Sequence, residues 1–388
     1  MSLIKGISFN RHEFSGSFGD IGTDLPLIVA MILAADLHAP SVLIMFGVMQ
    51  VLTGVFYKMP MPAQPLKAMA TLVIAQQLGG GLLFGAGLAI GIVMMILSLT
   101  GALDGLSRII PKVVIRGLQL GLGITLALLA FKQYIPADHF NGYVLALLAF
   151  MIILWLMGSK KIPAAIVVIV LGFLYALSFK LKVGDLVQAI GFNLPQWNTP
   201  TTEDVLKGFL LLALPQIPLS LGNSVLATQQ VAKDLFPEKR PLTIKKIGIT
   251  YSLMNMINPF FSGIPTCHGA GGLAGHYAFG GRTGGSAVLY GLMFLVLGLF
   301  FGDNFEMVIQ VFPLPVLGVI LLFESLALML LIRDVTHEKK GLVITLMVGV
   351  MAAGLPYGFL VAMVVGSVLF YLPISLDTMG NLGNYKRR

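Results

Sequence analysis

Two short stretches of an otherwise apolar chain carry residues whose types and spacing could bind a ligand. The first runs from Gly263 to Gly285, GIPTCHGAGGLAGHYAFGGRTGG. Pro265 pushes its predecessor out of helical geometry and Thr266 is a good N-cap. Cys267, His268 and Gly269 are then expected to present backbone N–H groups without an intrahelical partner. The second is MPMPAQPLKAMATLVIA, residues 59 to 75. Here Gln64 can cap and Pro65 can take the first helical position, which leaves the N–H groups of Leu66, Lys67 and Ala68 free. Inside a bilayer a broken helix is tolerated only where protein buries it or where it lines a cavity, and its N-terminal dipole favours an anion. Each such end carries roughly half a positive charge, so the pair offers about one unit of positive field from backbone alone. Lys67 either adds a full charge at the gap or pairs with an intramembrane aspartate. A glycine-rich external loop would explain one stretch alone; two in one chain favour the buried reading.

The aspartates come from GSFGDIGTDLPLIVA, residues 16 to 30, where Asp20 and Asp24 lie four apart and Gly16, Thr23 and Leu27 complete the same helical face. Two readings stand side by side. Either the pair is near an interface, solvated or capping a helix, or it lies beside an anion site, where a carboxylate must be protonated or paired and so becomes a proton- or cation-coupling group. In LALPQIPLSLGNSVLATQQ, residues 212 to 230, Gln216, Ser220 and Asn223 form one polar stripe on an apolar helix. Such groups often hold transmembrane helices together, but as neutral donors they suit an anion, with Ser224 and Gln229 as weaker candidates. His268, expected at the second helical position after the break, reads as a ligand contact rather than a packed core histidine. Glu324 is expected to pair near an interface or bridge to another helix, and Arg282 to anchor the topology. Cys267 is the only cysteine, which excludes an internal disulfide and a cysteine metal cluster. No HExxH pair or serine–histidine arrangement is present, so neither enzymatic chemistry nor a cofactor or metal is expected.

The elements that must position these residues are membrane helices. Of 388 residues, 57% are hydrophobic and only 11% charged, and mean hydropathy is +0.91, far from soluble-domain composition. Polar breaks and Pro/Gly punctuation divide the chain into about fourteen segments, near 14–35, 39–57, 63–78, 82–103, 109–131, 142–158, 162–179, 205–230, 243–262, 266–280, 285–301, 305–331, 341–354 and 357–373. The third and tenth are too short to span and carry the breaks. Lys180 to Asp204, with Trp197, reads as an external connector or an interfacial helix. The N-terminal MSLIKGISFNRHEF holds too short an apolar run for a cleavable signal peptide. With the N-terminus placed in the cytoplasm, only Lys132, Lys180, Lys182 and Lys207 of the 25 basic residues fall outside, with Lys67 inside a segment. This positive-inside bias predicts a multi-pass protein of the cytoplasmic (inner) membrane with both termini cytoplasmic, and it accounts for the +8 charge with a lipid bilayer and no nucleic-acid partner.

The chain also aligns with itself. Residues 59–75 answer 263–278, with Pro62 matching Pro265, and 109–121 answer 311–323, with Pro111 matching Pro313, at separations of 203 and 202 residues. Seven segments separate the copies, and an odd number inverts the second. The expectation is an all-α polytopic fold with a seven-plus-seven inverted repeat, repeat one near 14–179 and repeat two near 205–373, whose half-helices (segments three and ten) meet near the midplane. Segment eight then corresponds to segment one and faces the same cavity.

At PMPAQPLKA (60–68), PTCHGAGGLAGHYAFGGRTG (265–284) and SGSFGDIGTDLPL (15–27) the chain resembles the molybdate transporter family, a branch related to the sulfate permease (SulP) superfamily. The family motif more often has Val at the position of Ala63 and Met at that of Leu66, and the superfamily's acidic residue in segment eight is absent. The resemblance implies a core domain (segments one to four and eight to eleven) holding substrate between segments three and ten, and a gate domain (segments five to seven and twelve to fourteen) that often dimerises. A cytoplasmic STAS domain, typical of sulfate permeases, is not expected. The reading is a secondary transporter moving a tetrahedral oxyanion, molybdate before sulfate, by alternating access. The expected substrate contacts are Asp20, Thr23, Gln64, Pro65, Leu66, Lys67, Gln216, Ser220, Asn223, Thr266, Cys267, His268 and Gly269, with Asp20 or Asp24 coupling a proton or cation. The rivals are a nucleobase or aromatic-carboxylate permease of the same fold, and an anion channel.

Overall fold

The computed structural model describes residues 6–103, 105, 110–156, 164–179, 190–239, 242–301 and 313–373, apart from the side chains of residues 165, 166 and 324. The expectation for Glu324 lies outside the described residues, as do Lys180, Lys182 and the first part of the 180–204 connector.

Local sequence sets the element boundaries. Helix α1 (Arg11–Gly16) starts at Asn10, whose side chain accepts from the N–H groups of His12 and Glu13. Helix α2 spans Ile21–Ala35. The single helix expected from residue 14 is therefore broken at residues 17–20, and Asp20 stands at the start of α2 instead of inside a helical face. Helix α3 (Ala39–Tyr57) ends where Lys58 turns left-handed at φ 53°. Pro60, Pro62 and Pro65 then keep the chain extended through β1 (Gln64–Pro65) until α4 (Lys67–Gln76) begins. Helix α5 spans Gly80–Thr100. Helix α6 (Lys112–Leu129) continues through a π turn (Ala130–Tyr134) and a 3-10 turn (Ile135–Asp138) into α7 (His139–Leu156), and α8 spans Ala164–Phe179.

The second half opens with α9, a helical run over Thr202–Leu235. Pro215 and Pro218 withhold donors from its ladder, and π stretches at Phe209–Ala213 and Ser220–Ala227 flank them. Helix α10 (Ile244–Ile257) leads through a 3-10 turn (Asn258–Phe261) to β2 (Thr266–Cys267) and α11 (Ala270–Ala278). Then follow α12 (Gly285–Phe301), α13 (Leu314–Leu330), α14 (Lys339–Gly354) and α15 (Gly358–Tyr371). Among the described residues, five helical runs are long and apolar enough to cross a membrane: Ala39–Tyr57, Gly80–Thr100, Lys112–Leu156, Thr202–Leu235 and Leu314–Val335. By contrast α4 and α11 have 10 and 9 residues. At 1.5 Å per residue each reaches roughly half of a ~30 Å hydrocarbon core.

Helix α3 lies along α12, and α5 along α10 and the start of α9; α6 lies along α13 and α14, and α13 packs against α2, α7 and α8. Glycine permits the tightest of these contacts. A Cβ on Gly47 would sit 2.6 Å from the carbonyl oxygen of Gly291, and one on Gly291 2.6 Å from that of Gly47, so the α3 and α12 backbones touch. Glu13, 2% exposed, fastens α1 to the start of α12: its carboxylate accepts from the N–H groups of Arg282 (3.0 Å), Thr283 (2.9 Å) and Ser286 (2.9 Å). Arg282 itself stacks on Tyr277 at 3.6 Å and donates to the Tyr277 and Gly281 carbonyls. Lys239, outside the spanning helices, donates to the carbonyls of Lys58 (2.7 Å) and Arg282 (3.0 Å), and burial lowers its pKa from the usual value. The described part of the connector forms no interfacial helix. Residues 190–198 form no regular element, and the N–H groups of Gly191 and Asn193 bond to the Phe300 and Leu299 carbonyls at 2.9 and 2.8 Å.

Candidate functional site

The two breaks meet. Strands β1 and β2 pair antiparallel with Gln64 opposite Cys267 and Pro65 opposite Thr266, and the Leu66 N–H donates to the Pro265 carbonyl at 3.1 Å. A side-chain amide from a neighbouring helix clamps each strand. Gln50 of α3 donates to the Ala63 carbonyl (2.9 Å) and accepts from its N–H (3.1 Å). Asn255 of α10 does the same to Thr266, at 2.6 and 2.9 Å. These bonds meet the requirement that buried backbone be satisfied.

Several expectations about the caps are corrected by this geometry. Helix α4 begins at Lys67, not Pro65, because Pro65 and Leu66 are held extended by the strand pairing; Gln64 is therefore not its cap. The Leu66 N–H is not free but bonded to Pro265. Those of Ala68 and Met69 are not free either: both donate to Gln216 Oε1, at 3.0 and 3.2 Å. Helix α11 begins at Ala270 with Gly269 as N-cap, so Thr266 does not cap and His268 is not helical. Asn258 Nδ2 donates to Thr266 Oγ1 at 3.3 Å. His268 is wholly buried and braced at both ring nitrogens. Nδ1 faces the Pro62 carbonyl at 3.0 Å and must donate to it, which leaves Nε2 to accept from Thr250 Oγ1 at 2.7 Å. It is a strut between the two breaks and does not touch the cavity described below.

Asp20 lies beside the start of α11. Gln64 Nε2 donates to both oxygens of Asp20, at 2.7 and 2.8 Å, and a Cβ on Gly272 would overlap Asp20 Oδ2. Only glycine lets the first turn of α11 come this close to the carboxylate. Asp20 and Asp24 are 2% and 0% exposed, which removes the solvated-interface reading. Asp24 Oδ2 accepts from the Tyr290 hydroxyl at 3.3 Å, while its Oδ1 is buried without a partner among the described residues. His276 stands edge-on to Tyr290 at 5.7 Å. Thr23 is half-buried in the first turn of α2.

Beside the start of α4 lies a cavity of about 20 Å³ lined by Lys67, Ala68, Gln119, Leu122, Gln216, Leu219, Asn223, Ser224, Cys267 and Leu328. Four expected residues, Lys67, Gln216, Asn223 and Cys267, are thus brought together; Asp20, Thr23, Gln64, Pro65, Leu66, Ser220, Thr266, His268 and Gly269 stand around it without lining it. Ser220 lies one bond away, accepting from Gln216 Nε2 at 3.1 Å and sharing a 2.9 Å bond with the Tyr251 hydroxyl. Ser224, a weaker candidate than Asn223 by spacing, lines the cavity as well, within the π stretch at Ser220–Ala227. Gln229 faces elsewhere, donating to the Leu242 carbonyl at 2.8 Å. Gln119 was missed. The available signal was a lone amide in the apolar VVIRGLQLG, and the structure links it to Arg116 at 2.8 Å, which in turn binds Asp334 at 2.7 Å.

Comparison with known proteins follows the same lines. A family model described as a molybdate transporter of the MFS superfamily matches residues 12–126 and 208–328. Molybdate transporter 1 of Arabidopsis thaliana is 33% identical over 85% of this chain and 82% of its own length. Molybdate transporter 2 of the same plant is 30% identical over 88% and 83%, and molybdate transporter 1 of Chlamydomonas reinhardtii 25% identical over 91% and 90%. Among solved structures, the transmembrane domain of the cyanobacterial bicarbonate transporter BicA superposes with a TM-score of 0.66 at 18% identity, over 94% of this chain and 99% of that one. SLC26A9 superposes with a TM-score of 0.67 at 14% identity, over 92% and 65%. At these identities the structures establish the fold, which is SLC26-like.

Proposed function

The chain belongs to the molybdate transporter family, and from that premise we propose that it carries molybdate across a membrane by alternating access. The observation that carries the site assignment is the cavity in which the N-terminus of a half-helix, an ammonium and neutral side chains converge: Lys67 and Ala68 from α4, Asn223 and Ser224 from α9. A tetrahedral dianion accepts several donors at once, and a helix start with a lysine beside it supplies them with positive field.

The proposed core comprises α2–α5 and α9–α12, and the proposed gate α6–α8 and α13–α15. Lys67, Gln216 and Cys267 reach the cavity from the core side, Gln119, Leu122 and Leu328 from the gate side. About 20 Å³ holds roughly one water, far less than a five-atom oxyanion, so loading requires the two helix sets to part. The inverted repeat is supported by matched devices: Gln50 clamps Ala63 as Asn255 clamps Thr266, and α3 packs on α12 as α10 packs on α5. The positive-inside distribution supports cytoplasmic termini. Asp24, buried beside Tyr290 in the cluster that also holds Asp20 and Lys67, is the proposed coupling group.

The experiment is uptake of labelled molybdate into vesicles containing the purified protein, with and without a pH gradient and with excess sulfate. Saturable uptake that sulfate displaces weakly is expected. Failure of molybdate, tungstate and sulfate alike to enter or to stabilise the protein would overturn the proposal.

A further inference from the structure

We infer that Gln216 is an internal stand-in for a substrate oxygen: its side-chain carbonyl fills the subsite at the start of α4, and the anion binds by displacing it. The inference rests on the transport reading above and adds what occupies the site before the anion does.

The two half-helix starts have different neighbours. Beside α11 lies the carboxyl group of Asp20, which is buried, accepts at both oxygens from Gln64 and is absent from the cavity wall. At α4 the acceptor is a neutral amide oxygen, Gln216 Oε1, which takes the N–H groups of both Ala68 (3.0 Å) and Met69 (3.2 Å). One oxygen bridging two successive amides at a helix start is the geometry an oxyanion oxygen adopts there. Gln216 also lines the cavity, as does Lys67. An anionic oxygen forms hydrogen bonds about twice as strong as a neutral one, so a dianion can evict the amide carbonyl at α4. Rotation of Gln216 away from α4 would also free volume in a cavity otherwise too small for the anion. The Gln216 Nε2 bond to Ser220, and that of Ser220 to Tyr251 (3.1 and 2.9 Å), hold the side chain in the blocking rotamer. Gln216 would thus set a threshold: only a ligand offering a charged oxygen displaces it.

A ligand that must displace an internal competitor binds with its intrinsic affinity reduced by the fraction of protein in which the site is open. Removing the competitor should therefore tighten binding, the opposite of removing a ligand contact. The test is calorimetric titration of purified wild type, Gln216→Ala and Gln216→Glu with molybdate and with tungstate, together with thermal melting of each at zero and saturating oxyanion. Gln216→Ala should bind about tenfold more tightly and melt lower than wild type without oxyanion but close to it with oxyanion, because the ligand restores the missing acceptor. Gln216→Glu, isosteric but charged, should bind about tenfold more weakly. Should Gln216→Ala not fold, Gln216→Leu, which keeps volume but not the acceptor, makes the same comparison. Equal or weaker binding by the acceptor-free variant overturns the inference while leaving the transport reading intact. Absence of binding by all the proteins, wild type included, overturns both.

Discussion

Lys67 carries the only full charge among the described residues that line the cavity, and it shares a buried cluster with Asp20 and Asp24. Two unit charges ~4 Å apart interact by about 4 kcal/mol at an effective dielectric constant near 20, and the two carboxylates offset part of that attraction for an incoming dianion. Lys67→Gln should therefore weaken molybdate binding about 10- to 100-fold, or about 1.4–2.8 kcal/mol, as measured by titration calorimetry. If Lys67 acts only by neutralising Asp24, the double variant Lys67→Gln, Asp24→Asn regains wild-type affinity; direct attraction leaves the double variant weak. Asp24→Asn alone keeps the hydrogen bond from Tyr290 but removes the titrating oxygen. It should bind molybdate within about threefold of wild type and lose the dependence of uptake on a pH gradient, read by comparing vesicle uptake in the two conditions. A variant that still responds to the gradient would move coupling to another group.

Helices and breaks show why the sequence disclosed some of this and withheld the rest. Pro62 and Pro265 mark where the helices are interrupted, and the two short helices that follow start within about four residues of the positions the sequence predicts. The donors and acceptors at those ends were not legible, because the partners come from distant parts of the chain. Thr266 has the chemistry of an N-cap, yet its backbone and hydroxyl are taken by Asn255 and Asn258 and the helix starts four residues later, at Ala270. Gln216 was visible as part of a stripe but not as the acceptor for α4, and Gln119 had no spacing to single it out. The contact of α3 with α12 makes a separate prediction. Gly47 faces the Gly291 carbonyl with no room for a side chain, since a new Cβ would lie 2.6 Å from it and the obstacle is backbone. Gly47→Leu should therefore push the helices apart and cost on the order of 1–3 kcal/mol or more. A fall in melting temperature that molybdate restores only in part is the expected reading, and an unchanged melting curve would mean that the two helices slide freely.

The whole molecule has a small cavity walled on one side by α4, α9 and β2 and on the other by α6 and α13. Under the proposed core and gate assignment, Gln50, Asn255, His268 and Glu13 make bonds within one helix set and Arg116 joins Asp334 within the other, so the motion proposed for loading is separation along the cavity seam rather than distortion of either set. Leu122 of α6 and Leu219 of α9 both line the cavity, from its two walls. In a Cys267→Ser background, which removes the lone native thiol, Leu122→Cys with Leu219→Cys should react with a short bifunctional thiol reagent. If loading requires the seam to open, uptake should stop on crosslinking and return on cleavage of a reducible linker, while the single-cysteine controls treated alike keep transporting. Full uptake by verifiably crosslinked protein would show that the anion crosses without the two sets parting, which is the behaviour of a channel and not of a carrier.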